Sequence, residues 1–448
     1  MATFSSVLFL AALVGILAAA EAPAPDELVL NPDFRSKGDG DLPASWTPWS
    51  PVWRQASCTV RGTPQGLLIE APGRPFAVGG VTQEVRGIRG GQAYAIEAAC
   101  ELRNIPSPRQ SVLVRLTWMA KKEAIHPAGE LVRGPLADGK FQDVFVAPKE
   151  ADGARLSPEV RWPQGGSVLW KRVSVRPTEP PAPRKVKIGT VYLRPKNGTP
   201  ERNLALFCEQ VEAAGKLGLD IVCLPEAITL VSTPKSVAEV AEPIPGPSTK
   251  ALGAVAARHR LWVVAGLMER DGDTLYNTAV LLDRKGQLAG TYRKVHLPRE
   301  EWQKGVTPGT EYPVFQTDFG TVAIQICYDW FFPEPAEAFA LKGAEILFAP
   351  TWGTTFPDAE GRVEGENVFR VRARDNGLYL VPSVYDGSSM VIDPMGRVLV
   401  ANKGKEGVFW CEVDLSVREP LWWVGHWRSI GPRDRMPTTY GPLLVNPP

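Results

Sequence analysis

Three side chains in this 448-residue chain stand where chemistry is easily built. Cys327 ends the apolar run Thr321-Val322-Ala323-Ile324-Gln325-Ile326, and Trp330-Phe331-Phe332-Pro333-Glu334-Pro335 follows as a helix-entry signal. A thiol at a strand-to-helix elbow is presented outward, and the next N–H faces the same target. Glu226 ends a second buried run, Asp220-Ile221-Val222-Cys223-Leu224-Pro225, and Lys294 lies in Tyr292-Arg293-Lys294-Val295-His296-Leu297-Pro298. A free thiol is largely protonated at neutral pH and needs a base or a field to attack carbon. A carboxylate in a desolvated pocket can take that proton, and an ammonium stabilises the oxyanion that grows on an attacked amide or nitrile. Together they suit acyl transfer through a thioester, with water as second substrate and no metal or cofactor. Each alone has a plainer reading: core thiol, helix cap, surface ammonium.

The elements that must hold these residues follow from the chain's grammar. Its length predicts two domains, since single cores rarely grow past roughly 250–300 residues. Fifty basic against 49 acidic residues give a net charge of +1, which excludes a polybasic nucleic-acid or membrane footprint. With six cysteines, no Cys-x-x-Cys and four scattered histidines, neither a disulfide scaffold nor a zinc site is expected. Cys58 and Cys100 can pair after export, whereas Cys208, Cys223 and Cys411 read as core thiols. Export is expected because Val7 to Leu17 is apolar and Ala18-Ala19-Ala20 follows, the pattern of a signal cleaved after residue 20. The n-region carries no Lys or Arg. The expected location is secreted, periplasmic or cell-surface.

Residues 177–185 form a Pro-rich linker. Before it, residues 27–176 read as short strands between Gly/Pro turns, with Val112, Val114, Leu116 and Trp118 on one face, predicting an all-β sandwich. Leu28 to Phe34 with Leu42-Pro43-Ala44-Ser45-Trp46, and Val81 to Val85 leading to Gly90-Gly91-Gln92, resemble carbohydrate-binding-module-like jelly-roll domains. Six of the 14 tryptophans lie here; Trp118 follows the core pattern, while Trp46, Trp49 and Trp53 are candidates for glycan contact as well as packing. After the linker, strands alternate with helices, notably one capped at Thr199-Pro200-Glu201 and others over 249–259, 334–343 and 362–374. That predicts an α/β layer architecture with function at strand ends.

The region 186–448 resembles the nitrilase superfamily of carbon–nitrogen hydrolases. The resemblance rests on Leu224-Pro225-Glu226, Arg293-Lys294-Val295-His296-Leu297 and Ile326-Cys327-Tyr328-Asp329, in the family's order, with Asp393-Pro394-Met395-Gly396 beyond them. It implies a four-layer αββα sandwich, Cys327 as nucleophile, Glu226 as general base and Lys294 as transition-state stabiliser. It further implies an oxyanion donor at the Tyr328 N–H and a second glutamate, for which Glu301 is preferred over Glu300. Trp352 and Tyr328 are candidate pocket walls. Cys327-Tyr328-Asp329 looks like the amidase and carbamoylase branches, so the expected reaction is hydrolysis of a linear amide or N-carbamoyl amine. The alternatives are nitrile hydrolysis, amide-forming acyl transfer, or an exported glycan- or surface-binding protein with a degenerate hydrolase. A homo-oligomer is expected, with the tail from Trp422 to Pro448 as one possible contact.

Overall fold

In the computed structural model the described residues are 26–445, apart from 36, 39, 40, 72 and 354–363; Glu364 is described by its backbone alone. The expected signal segment, residues 1–20, and the start of the helix expected at 362 lie outside them. The chain divides into two compact units, 1–125 with 131–180, and 126–130 with 181–448.

In the first unit two antiparallel sheets share one core. One sheet has the strands Thr47–Trp49, Val78–Val85, Gly153–Arg161, Val112–Ala120 and Glu123–Ala124 in that order; the other has Thr59–Thr63, Gly66–Glu70, Ser167–Thr178, Ala93–Arg103 and Lys140–Val146. Alternate residues point inward, as strand geometry requires. Val81, Leu116, Trp118 and Leu156 from the first sheet meet Ile69, Tyr94, Ile96 and Trp170 from the second. Trp46 is not available for a glycan: it is buried against Phe34, and its indole N–H donates to Asn31 O at 3.1 Å. Trp53, by contrast, is 70% exposed. The Cys58–Cys100 pairing is not formed; both thiols are free, and Cys100 Sγ turns to the Gly139 carbonyl at 3.4 Å.

The second unit is built from two six-stranded sheets. The first runs Leu288–Arg293, Thr274–Leu282, Trp262–Asp271, Ile221–Cys223, Lys185–Tyr192, Gly407–Asp414; the second runs Val314–Gln316, Thr321–Ile324, Ile346–Pro350, Tyr379–Ser383, Met390–Ile392, Val398–Ala401. Their central strands are parallel. Strands covered on both faces read as unbroken apolar runs, which is why Ile221–Cys223 and Ile346–Pro350 are buried at every position. The sheets face one another through Ile188, Ile221 and Val264 on one side and Ile324, Phe348 and Leu380 on the other. Thr190 Oγ1 donates to Pro382 O at 2.7 Å, and the Ser383 and Ser389 hydroxyls donate to Val191 O at 2.7 and 2.9 Å, all buried between the sheets.

Helices cover the outer faces. Pro200–Lys216 packs on the first sheet through Phe207, Val211 and Ala214, and starts where Thr199 Oγ1 accepts the Arg202 N–H. Pro247–His259 lies beside it. Pro333–Leu341 and Glu364–Asn376 cover the second sheet through Phe339, Phe369 and Ala373. The order helix, sheet, sheet, helix makes four layers.

Candidate active site

Glu226, Lys294 and Cys327 each lie just beyond a strand, at the carboxyl end that open α/β sheets use for function. Glu226 follows Ile221–Cys223, and Lys294 follows Leu288–Arg293, both in the first sheet; Cys327 follows Thr321–Ile324 in the second. All three meet between the sheets. Lys294 Nζ lies 2.9 Å from Glu226 Oε1 and also donates to Glu301. Glu226 interacts with the Cys327 thiol, which in addition takes the backbone N–H of Trp352. Glu300 is exposed on the short helix Arg299–Trp302, so of the two adjacent glutamates Glu301 is the one that reaches the lysine.

The Glu226 carboxylate is held from several directions. Asn277 Nδ2 donates to its Oε1 at 2.7 Å and to Glu301 Oε2 at 3.2 Å, joining the two acids. Glu226 Oε2 has no N–H or O–H donor among the described residues. Its backbone carbonyl accepts the Tyr385 hydroxyl at 2.7 Å. Gly266 lies against it: a Cβ there would come within 2.6 Å of Glu226 Cα and 2.8 Å of Ala227 N, both backbone atoms that cannot swing aside. Gly266→Ala is therefore expected to cost about 1–3 kcal/mol through overpacking. The same change moves Glu226 and is expected to reduce turnover by about 10²-fold, the order seen for misplacements near 1 Å. Thermal unfolding and kcat measure the two effects.

Electrostatics follow from burial. Glu226 and Lys294 are 2% and 1% exposed. Burial opposes the lysine's charge, but Glu226, the Cys327 sulfur and Glu301 outweigh it and raise its pKa above the ordinary lysine value. Burial, then Glu226, raises the Glu301 carboxyl against the pull of Lys294 and Asn277. The Cys327 thiol is pushed up by burial first and by Glu226 second; Lys294 and the Trp352 N–H act the other way. The thiol therefore holds its proton more tightly than an ordinary cysteine does. The same residue has φ +40°, in the left-handed region, so the elbow is strained.

Around the thiol, a short 3₁₀ turn Cys327–Phe331 precedes the helix Pro333–Leu341. Tyr328 is half-buried and packs against Phe331 and Phe332, with ring centroids at 5.0 and 5.4 Å. Trp352 is half-buried edge-on to Tyr385 at 5.5 Å. Sequence reasoning missed Asn277 and Tyr385, and it used Asp329 only as part of a motif. Asn277 left one signal: an amide inside the apolar strand Thr274–Leu282 needs a buried partner.

Comparison with known proteins matches this unit. The family model described as carbon-nitrogen hydrolase matches residues 187–421, just over half of the chain. A nitrilase of Pyrococcus abyssi is 34% identical over 245 residues, covering 51% of this chain and 90% of that protein. The omega-amidase of Mus musculus is 32% identical over 233 residues, covering 48% of this chain and 83% of its own. A beta-ureidopropionase of Arabidopsis thaliana is 35% identical over 191 residues, or 38% of this chain and 46% of the relative. The residues that make the buried site lie within the matched segment, and the chain belongs to the carbon–nitrogen hydrolase family, the nitrilase superfamily.

Proposed function

We propose that the protein hydrolyses a non-peptide amide or N-carbamoyl bond through a thioester on Cys327. The observation that carries this reading is the buried contact of a thiol, a carboxylate with one undonated oxygen, and a charged lysine. Cys327 Sγ attacks the carbonyl carbon while its proton passes to Glu226. The oxyanion forms beside Lys294 Nζ and the Tyr328 N–H, charge developing where donors already stand. The C–N bond then breaks and Glu226 returns the proton to the departing ammonia or amine. Water, giving its proton to Glu226, attacks the thioester, and the acid leaves as the thiol re-forms. Glu301 and Asn277 hold Lys294 and Glu226 in register, and Trp352 and Tyr328 wall the pocket. Relatives named omega-amidase and beta-ureidopropionase support the choice of amide or carbamoyl substrate, and a relative named nitrilase keeps nitriles in the test.

The test is a trapped intermediate. Acid quenching of the parent during turnover protonates Glu226 and stops it from accepting the water's proton, so the acyl group stays on sulfur. Quenched in this way with propionamide or N-carbamoylglycine, and with propionitrile as the nitrile control, the parent is expected to carry the propionyl or carbamoyl mass on the peptide containing Cys327. No adduct from a probe that is being turned over defeats the proposal.

For the first unit we propose a carbohydrate-binding-module-like role outside the cytoplasm. Outward-facing Trp53 and Phe76 support glycan contact, and the apolar stretch Val7 to Leu17 supports export. Self-association is proposed through the tail, where Trp422 and Trp423 are exposed.

A further inference from the structure

The lysine and the cysteine of the site come from different sheets, and one buried carboxylate ties their segments together. Asp329 is fully buried, two residues past Cys327. Its Oδ2 accepts the Tyr292 hydroxyl at 2.7 Å and the Ile326 N–H at 2.9 Å. Its Oδ1 accepts the His296 N–H at 2.9 Å and lies 2.9 Å from His296 Nδ1. Tyr292 and His296 stand two residues to either side of Lys294, and Ile326 immediately precedes Cys327. The carboxylate thus grips the lysine segment on both flanks and the elbow at its root.

Packing keeps these partners from adapting independently. The Tyr292 ring is buried edge-on to Phe339 at 5.8 Å, and the His296 ring stacks on Phe332 at 4.1 Å. Burial first, then Asp329, raises the Tyr292 pKa well above its ordinary value, so the hydroxyl remains a donor. A buried carboxylate with this many donors is a fixed strut, because loss of any one leaves charge uncompensated.

We propose that Asp329 is a positioning residue: it holds Lys294 Nζ against the Cys327 sulfur across the two sheets, and acts on the acylation step rather than on substrate binding. The inference rests on the thioester reading above and deepens it.

The test uses the full chain, with Cys327 titrated by iodoacetamide and ammonia release measured on whichever of the three probes turns over fastest. Tyr292→Phe removes one hydroxyl and leaves the ring in place, so it serves if Asp329→Asn fails to fold. Per titrated thiol, Tyr292→Phe is expected to lower kcat about tenfold and Asp329→Asn about 10²-fold, with KM within about twofold in each. The double variant is expected to be no slower than Asp329→Asn alone, because both changes act through one carboxylate. A merely structural role would lower the number of titrated sites and leave kcat per site unchanged. Unchanged kcat per site, or effects that multiply in the double variant, overturns the inference. Cys327→Ala separates the two levels. If that variant remains active, the thioester reading is wrong; if it is inactive while Tyr292→Phe matches the parent, only the positioning role is wrong.

Discussion

Cys327→Ala is expected to lower amide turnover by at least about 10⁴-fold while leaving the fold intact. The size of the effect follows from the surroundings. Of the two thiols on the strand ends that carry the site, Cys327 is the one set against Glu226 and Lys294, whereas Cys223 is buried within its strand. Asn277, Glu301 and the Trp352 amide are already engaged with the acids, the lysine or the sulfur. Folding is little affected because alanine removes one sulfur from a half-buried position, and the Trp352 N–H and Glu226 lose only a weak sulfur partner. Ammonia release and thermal unfolding on the same preparation check both halves. An active alanine variant would remove Cys327 from the chemistry.

Lys294→Ala has a second large effect, of a different kind. It leaves Glu226 and Glu301 facing one another in a buried site without the ammonium they share. Breaking a buried pair from one side costs about 3–5 kcal/mol, since the remaining charge has neither water nor partner. Urea unfolding of the two proteins at pH 7 measures it. Lys294 has a folded-state pKa above its ordinary value, so its stabilisation is fully present below the unfolded lysine pKa of about 10.4. It is lost only as pH rises through the higher folded value. The difference between parent and variant is therefore expected to hold from neutral pH to about pH 10 and not to titrate near pH 8. Turnover should fall by at least about 10²–10³-fold through loss of the proposed oxyanion donor. If the variant is as stable as the parent across that range, the lysine is not the counter-ion of both acids.

Glu226, Lys294 and Cys327 were legible because each stands at the end of a local pattern, an apolar run or a strand followed by a turn. The alternation of strands and helices beyond residue 185 was legible for the same reason, since period-2 and helical spacing need only near neighbours. What local pattern could not reveal is partnership across the fold. Asn277 meets a carboxylate 51 positions away, Tyr292 meets Asp329 across 37, and Tyr385 meets the Glu226 carbonyl across 159. None of these residues carries a signature of its own; a polar side chain in an apolar strand tells only that some partner exists. Trp46 shows the opposite error. Its neighbours Trp49 and Trp53 suggested a shared aromatic surface, yet its indole N–H finds a backbone carbonyl 15 residues back and the ring is buried. Glycan contact then rests on fewer rings than the sequence cluster suggested.

The left-handed backbone at Cys327 sets folding and chemistry against each other. At φ +40° a side chain costs about 1–2 kcal/mol that glycine avoids, so the fold alone would favour glycine there. The proposed nucleophile occupies a position where substitution by glycine can stabilise the protein and silence it in the same step. Cys327→Gly is therefore expected to fold at least as stably as the parent while losing the proposed amide turnover.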